Sequence, residues 1–329
     1  MKRATVGETG ERELIKLIRR LFPSSRREVM RGIGDDAAVI RPGKTPWVLT
    51  KDLLVEDVDF RRSLHPPFLL GRKSLAVNLS DAAAMGARPA LALLGLGLPP
   101  DLDLAWVREF LRGFRSRARE HGVDLVGGDL SASREIIVSV TVLATAAKTI
   151  GRGGARPGDR LYVSGTLGDA ALGFALIEKG KAGGRAAAGL RRAFLDPSPR
   201  VELGLDLARL DLPSAMIDMS DGLSVDLAHL CEESGTGAEV DLARIPLSGE
   251  MVRLGGKKAL DYALNGGEDF ELLFAARPTR RNESRLEEMG RRHAVTPIGR
   301  IVAGRGLTAV HPDGARVKLA VRGYEHFRG

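Results

Sequence analysis

A glycine- and proline-rich stretch near the middle of the chain separates two regions that share one pattern. It reads GRGGARPGD from Gly151 to Asp159, a composition typical of a crossing between domains. On either side, short apolar runs typical of strands alternate with longer segments of helical periodicity. A chain of 329 residues has room for about two domains. We therefore predict a mixed α/β (α+β) fold in two lobes, with domains at residues 1–148 and 149–329.

Apolar periodicity and helix-ending residues place the main elements. In the first region we predict helices over Glu11–Phe22, from Pro67 to about Met85, and over Asp103–His121. The predicted strands there are Ala37–Ile40, Trp47–Thr50, a segment around Val55, Ala90–Leu98, DLVGGD and IIVSVTVLATAA. In the second region strand and helix alternate as RLYVSG, DAALGFALIEKG, AMID, LSVDLAHLCEES, DFELLFA and the helix Glu283–Arg291.

Cysteine and apolar content exclude several classes of protein. Cys231 is the only cysteine, which excludes an internal disulfide and a zinc site built on cysteines. The amino terminus is charged throughout and lacks the apolar segment of a secretion signal. The most apolar stretch, Ala90–Leu98, is far shorter than the ~20 residues that span a bilayer. We predict a cytoplasmic protein with no membrane segment.

Basic residues outnumber acidic ones, 50 to 42, and give a net charge of +8. They occur in runs such as RRLFPSSRREVMR and RRHAVTPIGR. Such runs are typical of a nucleic-acid surface, of a site that attracts a polyanionic substrate, or of a solvated surface. Because no zinc-finger spacing or aromatic-basic ribonucleoprotein motif occurs, we predict no nucleic-acid partner. A basic nucleic-acid-binding module is kept only as an alternative.

The acidic residues recur beside glycine or serine, at predicted strand ends and helix starts. The motifs are IGDD, TKD, NLSD, GGD, MIDMSDG and GGED, which contain Asp35 and Asp36, Asp52, Asp81, Asp129, Asp218 and Asp221, and Glu268 and Asp269. Glycine at such positions lets a ligand approach the backbone closely. Each motif alone is also typical of a helix N-cap or a turn.

Asp81 is the acid that a capping role explains least. It lies inside the apolar helix LAVNLSDAAAMGA, where aspartate is a poor helix former and costly to bury without a partner. A buried cation would be that partner, with Asn78 one turn earlier on the same face. Without clustered histidine or cysteine, oxygen ligands indicate magnesium or manganese. In IGDDAAVI, strand alternation lets one aspartate face the site while its neighbour points away, and we predict Asp36 as the ligand.

Taken in order, these motifs resemble the thiamine-monophosphate kinase family, a branch of the ATP-binding family that includes aminoimidazole ribonucleotide synthetase. The resemblance covers nearly the whole chain, in GETGERELI, GIGDDAAVI, LAVNLSDAAAMGARP, VGGD, GARPGDRLYVSGTLGDAALG, DPSPR, IDMSDGLSVDL, LNGGEDFELLF and GYEHF. It implies the aminoimidazole ribonucleotide synthetase-like fold. In that fold an N-terminal mixed sheet binds ATP and magnesium and forms a homodimer, and a C-terminal α/β lobe completes the active-site groove.

The resemblance also implies an activity and a site. The activity is direct in-line transfer of the γ-phosphoryl group of ATP to thiamine monophosphate, giving thiamine diphosphate, assisted by several Mg²⁺ ions. The implied magnesium ligands are Asp36, Thr50, Asp52, Asp81, Asp129, Asp218 and Asp221. The implied ATP contacts are Gly128, Asp129, Arg152 and Ser220, and the implied substrate contacts are Asp59, Glu268 and Tyr324.

No residue is predicted to act as a general base. The acceptor phosphate has a second pKa of ~6, so at neutral pH its nucleophilic oxygen is already largely an anion. The six histidines are scattered, and none is given a role. Catalysis would be metal-assisted and strictly metal-dependent, through Asp36, Asp52, Asp81 and Asp129.

Two positions depart from the family pattern. EDVDF places Asp59 where the family usually has a substrate-contacting histidine, and Lys51 stands before Asp52 where a hydroxyl residue is common. Asp59 would either pair with the cationic acceptor or shift the acceptor specificity. A sister enzyme of the aminoimidazole ribonucleotide synthetase type is the nearest alternative, and the GYEHF ending argues against it.

Overall fold

Two β-sheets, one in each lobe, organise the chain. The computed structural model describes residues 29–31, 35–41 and 43–323, so the predicted helix Glu11–Phe22 and the predicted contact Tyr324 lie outside the described residues. The strands are β1 (Val29–Arg31), β2 (Ala38–Ile40), β3 (Trp47–Val55), β4 (Arg88–Leu98), β5 (Asp124–Ala132), β6 (Ile137–Thr145), β7 (Arg160–Val163), β8 (Pro213–Met219), β9 (Gly237–Asp241), β10 (Glu271–Ala276), β11 (Thr296–Val302), β12 (Gly306–Val310) and β13 (Arg316–Lys318). The helices are α1 (Pro67–Ala84), α2 (Leu104–His121), α3 (Asp169–Glu178), α4 (Ala188–Leu195), α5 (Val201–Leu210), α6 (Leu223–Ser234), α7 (Gly249–Gly255), α8 (Ala259–Asn265) and α9 (Arg280–His293).

The first sheet has six strands in the order β1-β2-β3-β6-β4-β5. Neighbouring strands are antiparallel except β4 and β5, which are parallel. The sequence predicted separate strands near Trp47 and Val55, but β3 is continuous because it pairs with β6 along its whole length. Among the described strands, β5 forms one edge of this sheet.

The second sheet has seven strands in the order β13-β12-β9-β11-β7-β10-β8. Its central strands are apolar runs because both faces of the sheet are covered. In β10, Leu272 and Phe274 belong to the core shared with α1 and α2, whereas Leu273 and Ala275 face a second core under α6. The mixed α/β fold with two sheets therefore agrees with the predicted fold class.

Helix α1 joins the two lobes. It begins at Pro67, where the missing N–H of proline needs no partner. Most of its residues are buried, including the polar Lys73 and Asn78. Gly71 lets it approach α2 closely, since a Cβ there would lie 2.0 Å from the Phe110 carbonyl oxygen. Within the part of the chain that the structure describes, no helix is long and apolar enough to cross a membrane.

Helix α2 confirms the prediction for Asp103–His121. The Asp103 side chain accepts a hydrogen bond from the Ala105 N–H at 2.8 Å, and Gly122 ends the helix in the left-handed conformation with φ of 64°. The sequence did not predict the helices α4, α5, α7 and α8 or the strands β1, β9, β11, β12 and β13. Several of these elements, such as α7 and α8 with seven residues each, are too short to show a clear period.

Candidate active site

Three aspartates from both lobes meet at the junction of the sheets. Asp36 precedes β2, Asp81 lies in the last turn of α1, and Asp218 lies near the end of β8. Each offers one carboxylate oxygen, and these oxygens lie within 4.8 Å of one another. Asp36 and Asp218 are buried, whereas Asp81 is partly exposed. We call these three residues the acidic cluster.

The carboxylates of the acidic cluster are electrostatically unfavourable as they stand. Burial, and then the neighbouring carboxylate of Asp36, raises the pKa of Asp218 to about 8. Burial also raises the pKa of Asp81 well above its usual range, and the charges of Asp52 and Asp218 add to the effect. Asp36 Oδ2 is buried and has no hydrogen-bond partner among the described residues. The arrangement therefore fits a bound cation, which would remove these penalties.

Strand β3 places two further oxygen-bearing side chains, Thr50 and Asp52, beside the acidic cluster. The Thr50 hydroxyl donates a hydrogen bond to Asp81 Oδ2. Asp52 Oδ2 is buried without a hydrogen-bond partner in the described part of the chain. Burial, and then the carboxylate of Asp59, raises the pKa of Asp52 to about 6. Thr50 and Asp52 share the face of β3 that is turned toward α1 because side chains alternate along a strand.

Arg152 provides the cation nearest to Asp36. Its Nε and Nη2 atoms donate to Asp36 Oδ1 at 3.0 and 2.5 Å. Burial disfavours its charge, but Asp36 and further carboxylates outweigh this and raise the pKa of Arg152. Asp35 points elsewhere, with Arg31 at 3.3 Å. The predicted difference between Asp35 and Asp36 is therefore present, but strand alternation is not its cause, since both residues precede β2.

Asp129 does not join the acidic cluster. In the first sheet, Leu53, Ser139, Gly95 and Asp129 pair in one row across β3, β6, β4 and β5. Paired residues share a face, so Asp129 lies on the face opposite to Asp52, with Leu53. Gly128 and Asp129 are both exposed on the edge strand β5. The sequence motifs grouped Asp129 with the other aspartates. Within one chain, strand register places it on the opposite face of the sheet, away from them.

Asp221 also lies outside the acidic cluster. Its carboxylate forms a second group with Asp226 and His229, whose ligand atoms again lie within 4.8 Å of one another. Asp226 Oδ2 accepts hydrogen bonds from the N–H groups of Asp221 and Gly222, at 3.2 and 3.0 Å. Asp221 lies in the turn SDG, three residues after Asp218, and its carboxylate belongs to this second group.

A cavity of about 250 Å³ adjoins the acidic cluster, and we call it the acceptor cavity. The predicted contacts Asp59, Ser220 and Glu268 all line it. The rest of its wall is largely apolar or aromatic and consists of Val58, Phe60, Arg61, Leu64, His65, Ala171, Phe174, Phe194 and Gly267. Ser220 follows Asp218 by two residues, so the acceptor cavity and the acidic cluster meet at the end of β8.

Sequence reasoning missed two residues at the acceptor cavity. Lys73, on α1, lies 2.8 Å from Glu268 Oε1, and His65 lies over the Phe194 ring with centroids 4.8 Å apart. Burial, and then the charge of Lys73, lowers the pKa of His65 to about 3, so its ring is neutral at physiological pH. Lys73 carried the same signal as Asp81, a charge inside an apolar helix, but cationic helix residues are usually solvated.

Comparison with known proteins places the chain in a family. It matches the families AIR synthase related protein, N-terminal domain, over residues 34–146, and AIR synthase related protein, C-terminal domain, over residues 156–312. Thiamine-monophosphate kinase of Escherichia coli K12 is 38% identical, across 94% of this chain and 97% of that protein. The enzyme of Aquifex aeolicus is 36% identical, across 97% and 99%. The chain belongs to the thiamine-monophosphate kinase family.

Solved structures agree with this membership. A structure described as AaThiL complexed with AMPPCP and TMP superposes with a TM-score of 0.89 at 34% identity, across 99% of this chain and all of that one. Thiamine-monophosphate kinase from Stenotrophomonas maltophilia gives 0.76 at 38% identity, across 92% and 95%. The hydrogenase maturation protein HypE, 19% identical with a TM-score of 0.69, shares the fold alone. The predicted family, fold class and kinase activity are thereby confirmed.

Proposed function

We propose that the protein phosphorylates thiamine monophosphate to thiamine diphosphate, with ATP as phosphoryl donor. The observation that carries the proposal is the junction of two unlike sites at the end of β8. The acidic cluster there suits cations and phosphates, and the acceptor cavity suits an aromatic cationic group. The relatives named thiamine-monophosphate kinase support the same acceptor. On this proposal residues 1–148 bind ATP and magnesium and dimerise, and residues 149–329 complete the groove.

The proposed magnesium ligands divide by position. Asp36, Asp81 and Asp218, with Thr50 and Asp52 beside them, would hold cations at the acidic cluster, and Asp221 would hold one on the far side of Ser220. One carboxylate oxygen each of Asp36 and Asp52 is buried with no hydrogen-bond partner in the part of the chain that the structure describes, which fits this role. Bound Mg²⁺ would screen the phosphates from each other and stabilise the charge on the transferring group.

The reaction needs no proton acceptor from the protein. A phosphate oxygen of thiamine monophosphate attacks the γ-phosphorus, the bond to the β–γ bridging oxygen breaks, and ADP leaves with that electron pair. The obstacle is repulsion, about 4 kcal/mol for two unit charges at 4 Å and an effective dielectric of 20. Arg152, at the edge of the acidic cluster, would offset part of the phosphate charge. Positioning and electrostatics then account for the catalysis.

The acceptor cavity provides complementary chemistry for thiamine. The thiazolium ring is cationic, and the carboxylates of Asp59 and Glu268 face the cavity. The rings of Phe174 and Phe194 lie 5.1 Å apart in its wall and offer an apolar surface for stacking. Tyr324 remains a proposed further contact.

Gly128 and Asp129 fit the proposal if two copies associate through β5. This edge strand exposes Leu125, Val126 and Leu130, the last with 73% of its surface accessible. Such an edge is a template for pairing with another chain. We propose a homodimer in which the partner subunit's Asp129 completes the active site, because Asp129 of the same chain cannot reach it.

Complementation between inactive variants tests the dimer. Asp52→Asn and Asp129→Asn chains should each be inactive alone, and mixing after exchange of subunits should restore about a quarter of the wild-type rate, because half the dimers then hold one intact site. Light scattering reports the mass in parallel. A monomeric protein, or mixtures that stay inactive despite exchange, would reject the shared site.

A product assay tests the function itself. The enzyme is incubated with Mg-ATP and either thiamine monophosphate, thiamine or an aminopyrimidine phosphate, and products are separated by chromatography. We expect thiamine diphosphate from thiamine monophosphate only, and no product after EDTA. Turnover of another acceptor in preference would assign a different specificity, and Asp59 is the first residue to examine in that event.

A further inference from the structure

Lys73 is a buried cation at the boundary between the lobes. It lies on α1 with a relative exposure of 1%. Its ammonium is 2.8 Å from Glu268 Oε1 and 4.3 Å from the centre of the Phe194 ring. Within the described chain its Nζ makes no hydrogen bond of good geometry. Because a buried ammonium is costly, the Glu268 carboxylate and the face of the Phe194 ring are the groups that compensate it.

The loop that carries Glu268 is held in an unusual conformation. Glu268 has φ of 69° and Phe270 has φ of 50°, in the left-handed region that residues other than glycine rarely adopt. The Glu268 N–H donates to the Ser220 carbonyl at 2.8 Å, and the Phe270 N–H donates to the Met219 carbonyl at 2.9 Å. Strained backbone persists only where the surroundings fix it, and it concentrates at ligand sites.

The side chain of Glu268 faces both the ammonium and the acceptor cavity. It remains 35% exposed while Lys73 is fully enclosed. Other cations compete little for it: Arg61, which also lines the cavity, is paired with Glu178 at 2.8 Å. His65 stays neutral because burial and the Lys73 charge lower its pKa to about 3. Among the described residues, Lys73 is therefore the cation that fixes the direction of the Glu268 carboxylate.

We propose that Lys73 is a positioning residue for the acceptor, whose ammonium holds the Glu268 carboxylate where it meets a cationic ring in the acceptor cavity. The inference rests on the proposed function. Lys73 acts through Glu268 and touches no reacting atom. A purely structural ion pair between the lobes would contribute only to stability, whereas a positioning contact contributes to acceptor affinity.

Steady-state kinetics of Lys73→Met separate these two roles. Methionine keeps an unbranched apolar side chain beside Phe194 and removes the charge. We expect the KM for thiamine monophosphate to rise about tenfold, which corresponds to about 1.4 kcal/mol of lost binding free energy. The kcat and the KM for ATP should stay within about twofold, because the acidic cluster lies about 12 Å farther along α1.

A matched control and a double variant complete the test. Arg72→Met removes the neighbouring cation of α1, which pairs with Asp196 and Glu120 away from the cavity. It should lower Tm and leave the KM for thiamine monophosphate unchanged. In a Glu268→Gln background, Lys73→Met should raise that KM by less than about twofold, because the two residues act as one unit.

Each outcome bears on a defined claim. If wild-type enzyme makes no thiamine diphosphate, the proposed function fails. If wild-type is active but Lys73→Met keeps the wild-type acceptor KM, or the two substitutions multiply independently, the positioning role fails and the function stands. If Lys73→Met does not fold, the double variant, which leaves no unpaired charge, is compared with Glu268→Gln alone. A further rise in acceptor KM there would overturn the proposal.

Discussion

The acidic cluster and the acceptor cavity balance their buried charges in opposite ways. In the acceptor cavity, the Lys73 ammonium has a carboxylate at 2.8 Å and an aromatic ring at 4.3 Å. In the acidic cluster, Asp81 faces Asp36 and Asp218, and Thr50 is its hydrogen-bond donor. The same helix thus carries a cation that Glu268 neutralises and an anion, Asp81, that has no cationic partner among the described residues.

The difference indicates which partners each site requires. A region whose charges are already paired can be rigid and wait for an organic ligand. A region of carboxylates with raised pKa values is destabilising by itself, and the cations that the proposed function requires would remove that penalty. Removing a charge should therefore disable the acidic cluster and only weaken binding in the cavity.

Asp81→Asn should produce the largest effect. It keeps the shape of the side chain and removes the charge at the centre of the acidic cluster, so turnover should fall by about a thousandfold or more. The measurement is initial rate at saturating Mg-ATP. The control Asp211→Asn changes an exposed carboxylate that pairs with Lys148, and its rate should equal wild type. Substantial turnover by Asp81→Asn would remove Asp81 from the metal site.

Metal-free stability should fall as pH rises, which would sharpen the contrast. The Asp218 pKa is raised from 3.8, its ordinary value, to about 8, so folded protein holds a proton that unfolded protein releases between these values. Stability is thus present at low pH and lost toward pH 8. In EDTA, unfolding free energy should drop by roughly 1–3 kcal/mol from pH 6 to pH 8.

The control for this prediction separates Asp218 from the rest of the protein. In EDTA, Asp218→Asn should show a smaller decrease in unfolding free energy between the same pH values. Mg²⁺ should restore the stability of the wild-type protein at pH 8 by binding the ionised carboxylates. Thermal melts at fixed protein concentration measure both. If the wild-type protein in EDTA is equally stable at pH 6 and pH 8, buried carboxylates do not destabilise the metal-free protein as proposed.

The local sequence marks Asp81 and Asp218 more clearly than it marks Lys73 or the aromatic wall of the acceptor cavity. Asp81 interrupts an apolar helix, and Asp218 ends an apolar strand, so each is conspicuous on its own. The role proposed for Lys73 depends on its ion pair with Glu268, which is far away in the chain. No local sequence pattern encodes that pairing. The cavity wall likewise combines aromatic residues from several elements, and each alone is typical of a core.

The position of Asp129 could not be predicted from the sequence because it depends on strand register. Its motif, GGD, resembles the others, and the sequence offered no reason to treat it apart. Its face follows from the pairing of β5 with β4, where the register shifts between Ala92 and Leu93. A change of one residue in register moves a side chain to the other face of a sheet. The main helices were predictable because their periods and end signals are local, as with Asp103 and Gly122 at the ends of α2.

Asp59→Asn should have the smallest effect. Asp59 lines the acceptor cavity, and its Oδ2 accepts a hydrogen bond from the Val55 N–H at 2.8 Å, which an amide oxygen can also accept. The substitution therefore removes a charge and preserves the turn. A partly exposed carboxylate contributes up to about 1 kcal/mol to binding a cation, so the KM for thiamine monophosphate should rise by about fivefold with kcat retained.

Asp57→Asn is the matched control for Asp59. Asp57 is exposed, does not line the cavity, and has φ of 64°, a conformation that asparagine tolerates well. The KM of Asp57→Asn for thiamine monophosphate should equal that of the wild-type enzyme. If Asp59→Asn instead lowers kcat as strongly as Asp81→Asn does, Asp59 acts on the cations through Asp52, whose pKa its charge already helps to raise. In that case the boundary between the acidic cluster and the acceptor cavity lies beyond Asp59, and the cavity holds the acceptor through Glu268.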